Sequence, residues 1–487
     1  MRRQPRLAAL VAACLIAGCA LAATPAVSVA SVPQPERPRV FVLTDIENEP
    51  DDTQSLVRLL LYANDLDLRG LVATTSVHMK QGTHAESIRR VIARYDQVLP
   101  RLRRHDAGYP DAAQLLARVA DGQPGYGIGA TGAGRDSAGA AVLLRELERD
   151  DPRPMWVSVW GGANTLAQAL FTLRQTRTPQ AVERAVSRLR VYTISDQDDA
   201  GAWLRREFPG LFYIVSPGGY GNATWGGMNQ VVDGIDNSPV SNAWIARHIQ
   251  QGHGPLGAAY PDVAYGMEGD TPSFLGLIPN GLNVPERPDW GGWGGRYERY
   301  TPRRENTDPT GFNGGVPIEQ ETRPIWTNAV DRFKPYVPAP YGRSVKPAER
   351  EFSGNSVTVW RWREAVQNDF AARMLWTTQE PSQANHAPVV KLAHAAELSV
   401  RSGEWLQLDA SPSTDPDGDN LSFLWFTYPE AGTLKVPLVL GTENIAWARF
   451  YVPKVDAPAT AHVIVQVTDK GSPALTRYRR VILNIRP

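Results

Sequence analysis

The sequence predicts an α/β fold, a mostly parallel sheet with helices on both faces, followed by a C-terminal all-β, immunoglobulin-like sandwich. Three observations carry this reading. From residue 39 onward, apolar strand-like runs alternate with amphipathic helical runs, the pattern of a parallel sheet covered on both sides. Predicted strands end in polar or Gly-rich loops at Asp45, Thr75, Trp160-Gly161-Gly162 and Ser195-Asp196, and such sheets place their chemistry beyond the carboxyl ends of their strands. From about Pro388 the pattern changes to short alternating strands separated by turns.

The elements follow in order. Residues 1 to 23, MRRQPRLAALVAACLIAGCALAA, join a basic start (Arg2, Arg3, Arg6) to an apolar run that suits an export signal better than a membrane span. Two processing patterns overlap there. Ile16-Ala17-Gly18-Cys19 resembles a lipobox, in which Cys19 takes a lipid anchor, and Ala20-Leu21-Ala22 resembles an ordinary signal-peptidase site. Either outcome places the mature chain outside the cytoplasm: periplasmic, extracellular or anchored at the cell envelope. A Pro-rich lead occupies 24–38. RVFVLTD then reads as a buried strand, TQSLVRLLLYAND as a helix, LRGLVATTS as a strand and THAESIRRVIARYDQVL as a helix. MWVSVWGG, LRVYTISD and LFYIVS are further strands, with ANTLAQALFTLRQT and AGAWLRREF as helices between them. Residues 217 to 345 are rich in Gly, Pro, Trp and Asn and read as long loops over the core. TVWRWREAVQNDFAARMLW (358 to 376) reads as a helix that closes a domain spanning 39–380. A linker at 381–387 leads to the 388–487 sandwich, with LSVRSGEWLQLDAS, LSFLWFTY, ARFYVP, AHVIVQVTD and RYRRVILNIR as its strands.

Composition narrows the function. The chain of 487 residues has 51 Lys+Arg against 51 Asp+Glu, so no global field recruits nucleic acid or an anionic membrane. Both cysteines, Cys14 and Cys19, lie in the leader, which leaves the body without a disulfide or thiolate chemistry. Fourteen Trp and sixteen Tyr supply flat amphipathic rings, as core or as sugar-stacking surfaces.

The stretch FVLTDIENEPDD (41 to 52) gathers Asp45, Glu47, Glu49, Asp51 and Asp52 at the end of the first strand. Carboxylates tolerate such crowding around a hard cation, and calcium takes 6–8 oxygen ligands. The plainer reading is a helix start, with Pro50 in the first turn and Asp51 and Asp52 complementing the dipole. The two readings are compatible.

TDIENEPDD followed by an amphipathic helix resembles a stretched form of the nucleoside hydrolase signature D-x-D-P-G-x-D-D. With LVATTSVH (71 to 78), VSVWGGANTLAQAL (157 to 170), EGDTPSFLGLI (268 to 278) and WGGWGGRY (290 to 297), the 39–380 region is similar to the nucleoside-hydrolase-like domain of bacterial exported cellulose-binding proteins, which carry a C-terminal Ig-like domain. The resemblance implies that Asp45 is a Ca2+ ligand and the base for an attacking water. It implies that Asp52 is a second, bidentate ligand and that Asp51 holds sugar hydroxyls. Trp160 matches a position that gives its backbone carbonyl to calcium, and Asp270 matches the acid that completes the shell. The departures are a two-residue insertion carrying Glu47 and Glu49, a missing signature Gly, Gly269 where many members have a leaving-group His, and Met79 near a sugar-binding Asn position.

Further candidates have two readings each. His78 is a general acid or substrate ligand, or a loop histidine. Asn164 reaches a sugar hydroxyl or caps the next helix. Glu268 is a candidate acid facing substrate. Asp196, Asp198 and Asp199 have the same two readings, with a solvated helix start favoured, and WGGWGGRYERY is an aromatic platform or a set of tight turns with buried Trp. STDPDGDNLSF reads as an Asp-Gly turn, with a second calcium as the alternative. Two functions follow. One is an exported calcium-dependent hydrolase of N-glycosyl or related glycosyl bonds, acting on a carbohydrate, a nucleoside-like molecule or a polysaccharide. The other is a non-catalytic carbohydrate-binding, cellulose-binding protein on the same scaffold. A metal-free glycosidase with two carboxylates is a third reading.

Overall fold

Six parallel strands form the centre of the molecule: β1 (Arg39–Thr44), β2 (Asp67–Ala73), β3 (Val119–Asp121), β4 (Met155–Val159), β5 (Leu189–Thr193) and β6 (Phe212–Val215). This computed structural model describes Met1 and residues 36–216, 223–303, 316, 319–339 and 344–487, and Arg37–Pro487 forms one compact unit. The expected leader with Cys14 and Cys19, and nearly all of the Pro-rich lead, lie outside the described residues. With β7 (Tyr297–Tyr300) and β8 (Ile325–Asn328) added, the sheet order is β3-β2-β1-β4-β5-β6-β8-β7, and β7 alone runs antiparallel to its neighbour.

Alternation along β1 explains the two helical layers. Val40 and Val42 pack in the core that holds α1 (Pro50–Leu61) and α2 (Ala85–His105). Phe41 and Leu43 point the other way, into a core shared with α4 (Ala138–Leu147), α5 (Asn164–Thr176) and α7 (Ala200–Glu207). The short helices α3 (Ala112–Leu116) and α6 (Pro179–Ser187) complete the crossovers. The chain leaves β1 toward β2 on one side, and β4 pairs with β1 on the other. This reversal opens a crevice at the carboxyl ends of β1 and β4, where open α/β sheets bind ligands.

One expectation changes in the closing region. The helix expected over 358–376 is broken into Val357–Trp360 and Arg363–Leu375. Trp362, at the break, inserts its ring among Phe426, Tyr428 and Tyr478 of the C-terminal region. Of the two readings of the Trp/Gly-rich segment, the structure takes the tight turns with buried Trp: Trp293 is fully buried, and Trp290 meets His462 edge-on at 4.8 Å. Gly291 has φ +70°, and a Cβ there would lie 2.3 Å from the Tyr428 hydroxyl. Gly291→Ala is therefore expected to loosen the contact between the two regions, read as faster proteolysis of the 377–391 stretch with the α/β core intact.

The C-terminal strands form two sheets. One has four strands in the order Glu397–Arg401, Thr476–Arg486, Ala459–Thr468, Ser422–Thr427, and the other pairs Trp405–Asp409 with Trp447–Tyr451. Leu408, Ala448 and Phe450 of the second sheet share one core with Trp425, Val465 and Leu483 of the first, an arrangement consistent with a β-sandwich. Among the described residues, no helix is long and apolar enough to cross a membrane.

Candidate metal and sugar site

The crevice is filled with acid. α1 begins at Pro50 with Glu49 as its cap, so Asp51 and Asp52 sit in its first turn, where the helix dipole favours negative charge. One carboxylate oxygen each from Asp51, Asp52 and Asp270 lie within 4.8 Å of one another. Asp45 joins them from the end of β1, 2 % exposed and packed against Gly161 at the end of β4.

Burial shapes the electrostatics. Burial pushes the Asp45 carboxyl up to about 6, opposed by a hydrogen bond from Ser76 and reinforced by the charge of Glu49. Asp51 is pushed up to about 7 by burial and then by Glu49 and Asp45. Burial raises Asp52 and Asp270 well above the carboxylate range, and each also feels the other acids. Thr44 donates to Asp52. The buried Asp51 Oδ1 and Asp270 Oδ2 have no hydrogen-bond partner. Unpartnered buried carboxylate oxygens facing other carboxylates are costly alone and suit an oxygen-seeking divalent cation. Asp51, Asp52 and Asp270 are the residues placed to hold one, with Asp45 beside them.

The spacing of α1 explains how Asp270 is brought in. Asp51, Ser55 and Arg58 lie on one helix face, four and three residues apart. Ser55 Oγ accepts a 2.9 Å hydrogen bond from Thr271. Arg58 is fully buried and binds Glu268 through both Nε and Nη2, the latter at 3.0 Å. Tyr260 and Thr271 also donate to the Glu268 carboxylate, at 2.7 and 2.9 Å. The expectation of Glu268 as an acid facing substrate is corrected here: the side chain is fully buried and committed to Arg58. Its position fixes the loop that carries Asp270.

The remaining candidates are distributed around this centre. The indole of Trp160 is buried, its Nε1 donates to Ser158 and Ser273, and its carbonyl accepts from Gln197 at 2.5 Å. Asn164 is the first residue of α5 and is fully buried, but it does not cap the helix. Its amide donates to Gly125 O at 2.7 Å and its oxygen accepts from Thr74, joining three strand-end loops. His78 is exposed on the loop after β2, and its backbone N–H donates to Ser76 Oγ at 3.1 Å. The solvated helix start expected at 196–199 is also corrected. Asp198 is 1 % exposed, accepts from the backbone N–H groups of Asn164 and Ala200 at 3.0 Å each, and is pushed up to about 7 by burial. On the insertion, Glu47 turns outward with φ +85° and binds Arg90 at 2.7 Å, away from the nest.

Trp225 is the residue that sequence reasoning missed. Its Nε1 donates to Ser195 at 2.9 Å, and its six-membered ring lies beside Gly269. A Cβ at 269 would stand 3.0 Å from that ring and 3.1 Å from Asp51 Oδ2. The indole and Asp51 thus crowd any side chain at position 269.

A family described as cellulose-binding Sde182, nucleoside hydrolase-like domain, matches residues 39–297. A second, described as cellulose-binding protein Sde0182, C-terminal domain, matches residues 405–485. A solved nucleoside hydrolase-related protein from Saccharophagus degradans, associated with carbohydrate metabolism, is 34% identical over 93% of this chain and 100% of that one, with a TM-score of 0.76. A PKD domain from the KIAA 1837 protein covers 20% of this chain and 86% of its own at 18% identity, but its TM-score of 0.15 carries no argument. No curated protein matches. The chain belongs to the family of cellulose-binding proteins with a nucleoside-hydrolase-like domain.

Proposed function

We propose that this is an exported carbohydrate-binding protein that holds calcium in the acid nest and recognises a saccharide over it. The observation that carries the reading is the cluster of Asp51, Asp52 and Asp270, whose buried Asp51 Oδ1 and Asp270 Oδ2 lack partners, with the Trp225 ring close to Asp51. A sugar offers an apolar face to an aromatic ring and hydroxyls to carboxylates, and both side-chain types stand together here. A bound calcium supplies positive charge that neutralises the nest and draws hydroxyl oxygens. Asp51, partly exposed, accepts from the hydroxyls, and Ser76 and Thr44 hold Asp45 and Asp52 in place. The cellulose-binding description of the family supports a β-linked glucan as the saccharide class. The immunoglobulin-like character of 388–487 and the export leader belong to the same reading.

The C-terminal region offers a second contact for a polysaccharide. Trp405 pairs across the two-stranded sheet with Tyr451, and Trp447 stands at the other end of the same outward face. These rings are 64%, 41% and 38% exposed. Trp447 to Tyr451 spans roughly 13 Å of extended strand, long enough to follow several sugar units.

Calorimetric titration of cellobiose into the calcium-loaded protein tests the nest. Trp225→Ala is expected to weaken binding about tenfold, the size of one lost aromatic contact. An unchanged affinity would count against the site. Retention on insoluble cellulose is expected to fall in Trp405→Ala.

Hydrolysis of a glycosyl bond is the second reading. Asp45, pushed up to about 6, favours it, since a base works best with a pKa near the working pH. Release of sugar from nucleosides or oligosaccharides, abolished by Asp45→Asn, would establish it.

A further inference from the structure

A second set of unpartnered oxygens lies where the linker meets the C-terminal region. Asn385 Oδ1, Asp415 Oδ2 and Asp469 Oδ2 are buried and have no hydrogen-bond partner. Their neighbourhood is tightly built. Asn385 Nδ2 donates to Asp469 Oδ1 at 3.1 Å and to the Pro473 carbonyl at 2.8 Å, which fixes the amide with its oxygen on the unpartnered side. Asp469 is fully buried, and its Oδ1 also accepts from the N–H groups of Gly471 and Leu475, at 3.0 and 2.9 Å. The full hydrogen-bonding load of Asp469 thus falls on one oxygen, and the other is left bare. Burial pushes the Asp469 carboxyl up against these hydrogen bonds, and the charge of Asp415 adds to the rise.

Asp415 repeats the pattern. Its Oδ1 accepts from the N–H groups of Asp417 and Asp419, at 2.9 and 3.1 Å, and its Oδ2 is bare. The next acid of the turn, Asp417, accepts from the backbone N–H of His386 at 2.6 Å and meets the His386 ring at 3.0 Å. Two consecutive linker residues, Asn385 and His386, are therefore bound to two different loops of the C-terminal region.

We propose that Asn385 Oδ1, Asp415 Oδ2 and Asp469 Oδ2 bind a hard divalent cation of the calcium class, which pins the linker to the C-terminal region. An all-oxygen set of two carboxylates and one amide matches calcium chemistry, with backbone oxygens or water to fill the remaining positions. It does not match zinc, which prefers nitrogen and sulfur. This site is separate from the strand-end nest and does not depend on the carbohydrate reading.

Calcium is titrated by calorimetry into the full chain after chelation. Two sites are expected in the wild type. The double variant Asp415→Asn/Asp469→Asn keeps one, and Asp52→Asn keeps the other. Proteolysis of the 377–391 stretch gives a second readout. Calcium is expected to slow cleavage about fivefold in the wild type and not in Asp415→Asn, whose partly exposed side chain can change without unfolding the strands. The same stoichiometry in the double variant as in the wild type would overturn the linker site and leave the nest standing. Cleavage slowed equally by calcium in Asp415→Asn would also overturn it. A wild type that binds no calcium would overturn both.

Discussion

Glu268→Gln lowers the unfolding free energy by roughly 3–5 kcal/mol, the usual cost of leaving one partner of a buried ion pair uncompensated. Arg58 and Glu268 are both fully buried, and Arg58 has few alternatives: the Gln367 side chain and the Val366 carbonyl already accept from it. Its guanidinium also lies 3.8 Å from the centre of the Phe370 ring, in surroundings that cannot solvate a lone charge. Urea denaturation reads the loss. The variant is also expected to weaken calcium binding, because the loop from Glu268 to Thr271 carries Asp270. A Glu268→Gln protein of wild-type stability would return Glu268 to the role of a substrate-facing acid.

The second large effect is a stability curve that falls as pH rises in the chelated protein. Asp45 and Asp51 have folded values of about 6 and about 7 against 3.8, so the folded state keeps protons that the unfolded chain has released. Their contribution is intact below pH 4 and is lost as pH rises through 6 and 7. For Asp45 alone the shift corresponds to about 3 kcal/mol. Calcium reverses the trend by supplying the missing charge, so its stabilising effect is largest at pH 8 and smallest near pH 4. Asp52→Asn removes one charge from the nest. In chelator it is expected to melt above the wild type at pH 8, and in calcium to gain little. Thermal melts over pH 4 to 8, with and without calcium, check both statements.

Much of the α/β scaffold is legible in the sequence because its strands are buried on both faces. Arg39–Thr44 and Met155–Val159 are continuous apolar runs that end at polar loops, and the structure keeps those ends on one sheet edge. The apolar pattern announces the first helix only from Thr53, but Pro50 and the acids Asp51 and Asp52 mark its start, and the helix does begin at Pro50. Tyr297–Tyr300 and Ile325–Asn328 escape detection. They are four-residue strands among turn residues; Tyr297–Tyr300 is held by one edge pairing to Ile325–Asn328, which itself meets Phe212–Val215 at a single residue pair. At the site, the local cluster Asp45, Asp51 and Asp52 is visible in one stretch, whereas Asp270 is reached through family resemblance alone. Arg58, Trp225 and the buried state of Asp198 are invisible because their meaning depends on partners distant in sequence. Arg58 meets Glu268 210 residues away. The Gly269 departure is visible as a missing His, but the Trp225 ring that crowds the position is not.

The central claim is that the acids at the end of the first strand hold a divalent cation. Calorimetric titration of calcium into the chelated full chain, wild type beside Asp52→Asn, tests it most directly. The account predicts that Asp52→Asn loses one calcium site that the wild type fills. Equal calcium binding by the two proteins, or none by the wild type, would contradict it.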